Sequence, residues 1–151
     1  MEAVDQQIVQ HLTRDGRMSY TDLGKATGLS TSAIHQRVRR LEERGVITGY
    51  HARVDQAQAG LPMGAFISIA PLDPTEPDDI PERLRGISAI EACHSVAGDM
   101  SYVLQVRVAT PHALEELIAQ IRAAANVSTR TTVVLSTPWE GRSALEPPQA
   151  G

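Results

Sequence analysis

Cysteine occurs once in the 151 residues, at Cys93, so no internal disulfide framework can form and a reducing compartment suits the chain. Long apolar runs are missing as well. None approaches the roughly 20 residues needed to span a bilayer, so no membrane partner is expected. The opening Met1-Glu2-Ala3-Val4-Asp5 is acidic and lacks the basic and apolar regions of a signal peptide, which makes the cytoplasm the expected compartment. There is no nucleophile set beside a base, no phosphate loop and no carboxylate pair with an implied cleft. An enzyme is therefore not expected, and neither is a cofactor. His11, His51 and His112 suggest no cluster. Cys93 and His94 are neighbours on an expected strand and point to opposite faces, which makes them a poor metal pair.

Nor is there an excess of basic residues. The net charge of −4 argues, taken alone, against a nucleic-acid partner. Its distribution changes that reading. Residues 1–55 carry eight Lys/Arg against seven Asp/Glu, whereas residues 56–151 carry six against eleven. From Thr31 to Leu41 the chain holds Arg37, Arg39 and Arg40 and no acid. Phosphate contacts depend on local potential, so such a stripe is compatible with DNA. It is equally compatible with a solvated helix face.

What is present at the N-terminus is helical punctuation. Val4, Ile8 and Leu12 recur at helical spacing and end near Asp15-Gly16. Ser19 followed by Asp22 resembles a capping box, opening a short helix that carries Leu23 and Ala26 and closes at Gly28. Ser30 is placed to cap a third helix, about Thr31 to Arg44, with Ile34, Val38 and Leu41 on one side. Ser32, Gln36 and Arg39 lie opposite, flanked by His35 and Arg40. Gly45 ends the helix, and Val46 to Tyr50 reads as the start of a strand. Two helices joined by a glycine turn, the second offering Ser, Gln, His and Arg, fit a helix-turn-helix whose recognition helix enters the major groove. The candidate DNA contacts are Ser30, Thr31, Ser32, His35, Gln36, Arg37, Arg39 and Arg40. A three-helix bundle whose polar face meets only water has the same pattern.

The wording of this segment is more specific than its pattern. Asp15-Gly16-Arg17, Asp22-Leu23, Gly28-Leu29-Ser30, Arg37-Val38-Arg39-Arg40-Leu41-Glu42 and Gly45-Val46-Ile47-Thr48-Gly49-Tyr50 together resemble the Lrp/AsnC family of feast/famine regulators. The resemblance implies a winged helix-turn-helix over residues 1–53, with Thr31 to Arg44 as its recognition helix.

Residues 54–62 look like a linker. Beyond it, Gly64 to Ala70, Ile90 to Ala97, Tyr102 to Val108 and Val127 to Leu135 read as strands. A helix carrying Ile80, Leu84 and Ile87 falls between the first two. Another, with Thr110 as cap and Pro111 at its first position, falls between the last two. The order β-α-β-β-α-β points to an α+β, ferredoxin-like layer of two helices on a four-stranded antiparallel sheet. Phe66, Val103 and Val134 alternate out of phase with Ile67, Leu104 and Val133, so both sheet faces are partly apolar. Self-association is the simplest cover for the face without helices. The Pro-, Gly- and Glu-rich tail over 138–151 is expected to fray.

The family resemblance extends here, to about residue 137. Val96 to Leu104 is similar to the glycine-containing hairpin of the family's RAM-type domain, and Asn126 to Thr131 to its last strand. It implies that residues 63–137 sense an amino-acid effector and oligomerise, as a homodimer and a tetramer of dimers. The implied effector residues are Gly98, Asp99, Met100, Ser101 and Tyr102. Ser101 departs from the family, which commonly has Asp there. Read residue by residue, Gly98 and Asp99 also suit an ordinary turn, and Tyr102 suits the core or an interface. The expected function is a DNA-binding transcriptional regulator acting on double-stranded DNA and responding to an amino acid. An enzyme of the sirohaem-decarboxylase type shares the architecture and stands as the alternative.

Overall fold

The structure is a computed structural model that describes residues 1–143. The chain divides into two compact units. One contains Met1–Arg53 and the segment from Trp139, and the other contains Val54–Pro138. Residues 144–151 of the tail lie outside the described residues.

Three helices build the first unit: α1 (Ala3–Arg14), α2 (Tyr20–Thr27) and α3 (Thr31–Glu43). Their starts and stops follow from local chemistry. Ser19 Oγ accepts the Asp22 N–H at the head of α2, and Ser30 Oγ accepts the Ala33 N–H at the head of α3. Gly28 closes α2 at φ +75°. Ile8, Val9, Leu23, Ile34, Val38 and Leu41 form the buried core of the unit. Each such side chain contributes about 1.5–3 kcal/mol by leaving water. Ala26, expected on the apolar side of α2, is exposed, and Gly24 is buried instead. A Cβ on Gly24 would stand 2.6 Å from the Leu29 carbonyl oxygen, so this glycine sets how closely α2 meets the turn.

The strand expected at Val46 to Tyr50 does not form. Gly45, at φ +68°, ends α3 in a Schellman motif. Its N–H goes to the Glu42 carbonyl, and the N–H groups of Val46 and Ile47 both go to the Leu41 carbonyl. The donors a strand would need are spent on the helix terminus. Among the described residues of this unit there is also no strand to pair with.

The second unit is a four-stranded antiparallel sheet in the order β2-β3-β1-β4. Its strands are β1 (Met63–Pro71), β2 (Ile90–Ser95), β3 (Tyr102–Val108) and β4 (Val127–Val133). Helix α4 (Ile80–Leu84) lies between β1 and β2, and α5 (Pro111–Ala125) between β3 and β4. The β-α-β-β-α-β order is as expected. Helix α4 is shorter than its apolar pattern, since Ile87 falls past its end and packs on the core from a loop. Strands β2 and β4 end two residues early, at Ser95 and Val133. Thr110 caps α5 through the Ala113 N–H, and Asn126 closes it at φ +51°. Ile67, paired with Leu104 and Thr131, is fully buried on the helix-covered face together with Ala65, Ile69 and Val106. On the opposite face Phe66, 41% exposed, alternates with them, and Val103 is half-buried. No helix among the described residues is long and apolar enough to cross a membrane.

Candidate DNA-reading face and ligand hairpin

Helix α3 turns Ile34, Val38 and Leu41 inward, which leaves a continuous polar surface on its other side. Seven of the eight residues expected to contact DNA lie exposed: Ser30, Thr31, Ser32, His35, Gln36, Arg39 and Arg40. Ser30 spends one lone pair on the helix cap and also meets the Ser32 hydroxyl at 3.1 Å. His35 stands edge-on to Tyr20, with ring centroids 5.4 Å apart. Arg39 donates to Glu43 at 2.8 Å across one helical turn, both side chains being solvated. Exposed pairs of this kind are worth about 0.3–0.5 kcal/mol, so the guanidinium is readily given up to a stronger anion.

Arg37 is placed differently. It sits three residues after Ile34 and four before Leu41, on the packed side of α3. Its Nη1 donates to Asp5 at 2.8 Å and to Glu2 at 2.9 Å. Only 22% of the side chain is exposed. The hydrogen bond to Asp5, then that to Glu2, raises its pKa beyond the ordinary guanidinium value. The residue expected to face DNA as part of a basic stripe is instead committed within its own unit. Counting arginines along the chain hides this, because a stripe in sequence is not a stripe on a helix.

Two further residues escape a reading of the sequence alone. Asp5 is buried at 8% exposure, yet Asp5-Ile8-Val9-Leu12 has helical spacing, and an acid on that stripe signals a hidden cation partner. Tyr50 donates to Glu42 of α3 at 2.9 Å. Partial burial, then this bond, pushes its phenol up to about 12.

In the second unit the segment from Val96 to Ser101 joins β2 to β3. The Val96 N–H meets the Ser101 carbonyl at 3.0 Å, and the Ser101 N–H meets the Ile69 carbonyl at 2.9 Å, which ties the hairpin base to β1. Gly98 adopts φ +148°, open to solvent, and Asp99 beside it is exposed. Met100 and Ser101 are half-buried. Ser101 lines a cleft of ≈ 200 Å³ with Pro71, Pro74, Glu76, Pro77, Asp78 and Ile80. Tyr102 belongs to the core, at 8% exposure, and its hydroxyl donates to Asp78 at 2.7 Å. That bond, then burial, pushes its phenol up to about 12. Of the five residues expected at the ligand, four are thus accessible, and Tyr102 lies in the core behind them. Glu76 and Asp78, the acidic residues that line this cleft, come from the Pro- and Asp-rich segment, whose composition reads only as a loop.

Comparison with known proteins agrees with this geometry. The AsnC-type helix-turn-helix domain matches residues 1–42, and the Lrp/AsnC ligand binding domain matches residues 64–144. The chain is 49% identical to the HTH-type transcriptional regulator LrpA of Mycobacterium tuberculosis over 142 residues, covering 94% of this chain and 95% of that one. It is 33% identical to the leucine-responsive regulatory protein of Escherichia coli over 140 residues, covering 89% and 85%. The solved structure of a feast or famine regulatory protein from M. tuberculosis complexed with L-methionine superposes with a TM-score of 0.94 at 48% identity, covering 96% of this chain and 99% of that one. These relatives are named regulators, which gives the sirohaem-decarboxylase alternative no support. The chain belongs to the Lrp/AsnC family of helix-turn-helix transcriptional regulators.

Proposed function

We propose that this regulator binds double-stranded DNA in the cytoplasm as a homo-oligomer built from dimers, and that an amino acid held at the Gly98 to Ser101 hairpin shifts its assembly and DNA affinity. Domain roles follow the same division: residues 1–53 read DNA, 54–62 link, 63–137 bind ligand and self-associate, and 138–151 form a tail. The observation that carries the DNA reading is the exposed face of α3, where Ser32, His35, Gln36, Arg39 and Arg40 stand together opposite a fully buried stripe. Their donors and acceptors suit base edges and phosphates. The ligand reading rests on the accessible hairpin with its acidic cleft, and on the methionine bound by the related M. tuberculosis protein. A carboxylate at Asp99 suits the ammonium of an amino acid, and free backbone N–H groups suit its carboxylate. Tyr102 supports the site from the core without touching the ligand.

Replacing both Arg39 and Arg40 with Ala tests the first part. A lost base contact weakens binding by about 1–3 kcal/mol and relaxes specificity, whereas a lost phosphate contact lowers the salt slope by about one unit each. Unchanged binding of the double variant removes α3 as the reading element. For the second part, melting is followed with each of the twenty amino acids, L-methionine included. At about 100 times its Kd a ligand of the folded state adds roughly 2.7 kcal/mol. If none of the twenty shifts the transition, the effector is not an amino acid.

A further inference from the structure

We propose that Arg37 and Asp5 form an internal brace that sets the orientation of the recognition helix, so that Arg37 is a positioning residue for DNA reading and makes no contact with DNA. The inference rests on the DNA reading above and assigns a role to the one arginine of α3 which that reading leaves unused.

The two apolar stripes that face each other in the first unit each carry one charge. On α3 the inward positions are Ile34, Arg37, Val38 and Leu41, and on α1 they are Asp5, Ile8, Val9 and Leu12, each set spaced i, i+3, i+4, i+7. The charges are of opposite sign and meet at 2.8 Å. Glu2, one turn earlier on the same side, adds a second acceptor at 2.9 Å from the same nitrogen, but its side chain is 69% exposed. Asp5, with a side chain 11% exposed, is the anchoring partner.

An ion pair placed among apolar side chains is a weak device for stability, because well-packed apolar residues of similar volume usually do as well or better. What it adds is direction. Aliphatic contacts between Ile8, Ile34 and Val38 tolerate small rotations and slides of one helix on another. A guanidinium donating to a buried carboxylate tolerates neither, since its donors lie in a fixed plane and a displaced Asp5 would be left buried without a partner. Base-reading side chains on the far side of α3 need that fixed rotation, for small displacements break hydrogen bonds to base edges.

The signs of the expected effects separate this role from the two alternatives. Removing an acid from a DNA-binding domain ordinarily strengthens its attraction to DNA. A brace gives the reverse for Asp5. The full-length protein first selects a duplex from a random-sequence pool. Affinities for that duplex and for a scrambled duplex of equal length are then measured across salt for wild type, Asp5→Asn, Arg37→Gln and the apolar pair Asp5→Leu/Arg37→Met. Circular dichroism at the assay temperature monitors folding. The brace predicts that each variant lowers the ratio of selected to scrambled affinity by about tenfold or more, within specificity ratios that typically span 10³–10⁷. It also predicts that the salt slope stays at the wild-type value. If Arg37→Gln lowers the slope by about one unit while Asp5→Asn keeps the ratio, Arg37 is a phosphate contact and the brace is wrong. If all variants keep the wild-type ratio and differ only in melting, the pair is packing alone and the proposal fails. Should the two single variants be unfolded, the apolar pair decides by the same ratio. A wild-type protein that enriches no sequence overturns the DNA reading itself, and shows this before any variant is made.

Discussion

At the scale of single residues, Gly98 and Asp99 offer the proposed ligand hairpin a backbone and a charge. Gly98 holds φ +148° with no heavy atom within 4 Å of where a Cβ would stand. A side chain there is opposed by its own backbone and not by neighbours, most strongly if β-branched. Gly98→Val is therefore expected to redirect the hairpin while sparing the core strands, whose packing begins at Tyr102. Asp99→Ala removes an exposed carboxylate, a change ordinarily within about 0.5 kcal/mol in stability. Both variants are expected to fold, to bind DNA normally without ligand, and to lose the amino-acid response. Couplings of this sort are typically 1–3 kcal/mol, about 5- to 150-fold in affinity, and that range bounds the loss. Calorimetry with the amino acid active in the melting screen decides the matter. Wild-type ligand affinity in both variants moves the site elsewhere.

At the scale of elements, what the sequence reveals is what local chemistry controls. The boundaries of α2, α3 and α5 are legible from Ser19, Ser30, Thr110 and Gly28, because a cap acts on donors three residues away. The alternation of β1 and β3 is legible because one face is buried and register then has a single solution. The missing strand after α3 is not legible, since β-branched Val46 and Ile47 look the same whether their N–H groups meet a neighbouring strand or Leu41. The ion pair of Arg37 is hidden for a related reason: its partner lies 32 residues away on another helix. Half of the candidate site could be read, namely the exposed side of α3 and the hairpin. The acidic cleft wall depends on tertiary approach between Asp78 and Tyr102.

Those tertiary ties make a prediction about alkaline pH. Tyr50 fastens the segment after α3 to Glu42, and Tyr102 fastens β3 to Asp78. Both phenols are pushed up to about 12, while an unfolded tyrosine ionises near about 10. The folded state thus holds these protons more tightly than the unfolded one. Stability from the two bonds is fully present below about pH 10 and is lost as pH rises towards about 12. Phenolate absorbance of the folded protein is expected to show two late-titrating groups. Tyr50→Phe and Tyr102→Phe should each remove one. Ionisation of both near the free-tyrosine value, with the fold intact, would show that neither bond holds its proton in the folded protein.

At the scale of the whole molecule, the open face of the sheet is the surface on which the proposed self-association would rest. Phe66 and Val103 sit together at its centre, since Phe66 pairs with Gln105 and the neighbouring Ser68 with Val103. Gln105, directly across from Phe66, and Arg107 flank them, both bonded to Glu91. Exposed apolar side chains set among polar ones are common in protein interfaces. Two-fold pairing supplies two recognition helices, which suits a near-palindromic site with half-sites about 34 Å apart. Phe66→Glu tests this without touching the core, because Phe66 lies outside the buried cluster. Brought to a self-complementary interface, the substitution replaces two apolar rings with two like-charged carboxylates, whose repulsion and lost hydration oppose pairing. Light scattering at micromolar concentration is expected to give a monomer with near-normal melting. Affinity for a full site should fall towards that of a single half-site, because each recognition helix alone reads only a few base pairs. A Phe66→Glu protein that remains dimeric and binds the full site as tightly as wild type would place the interface on another surface.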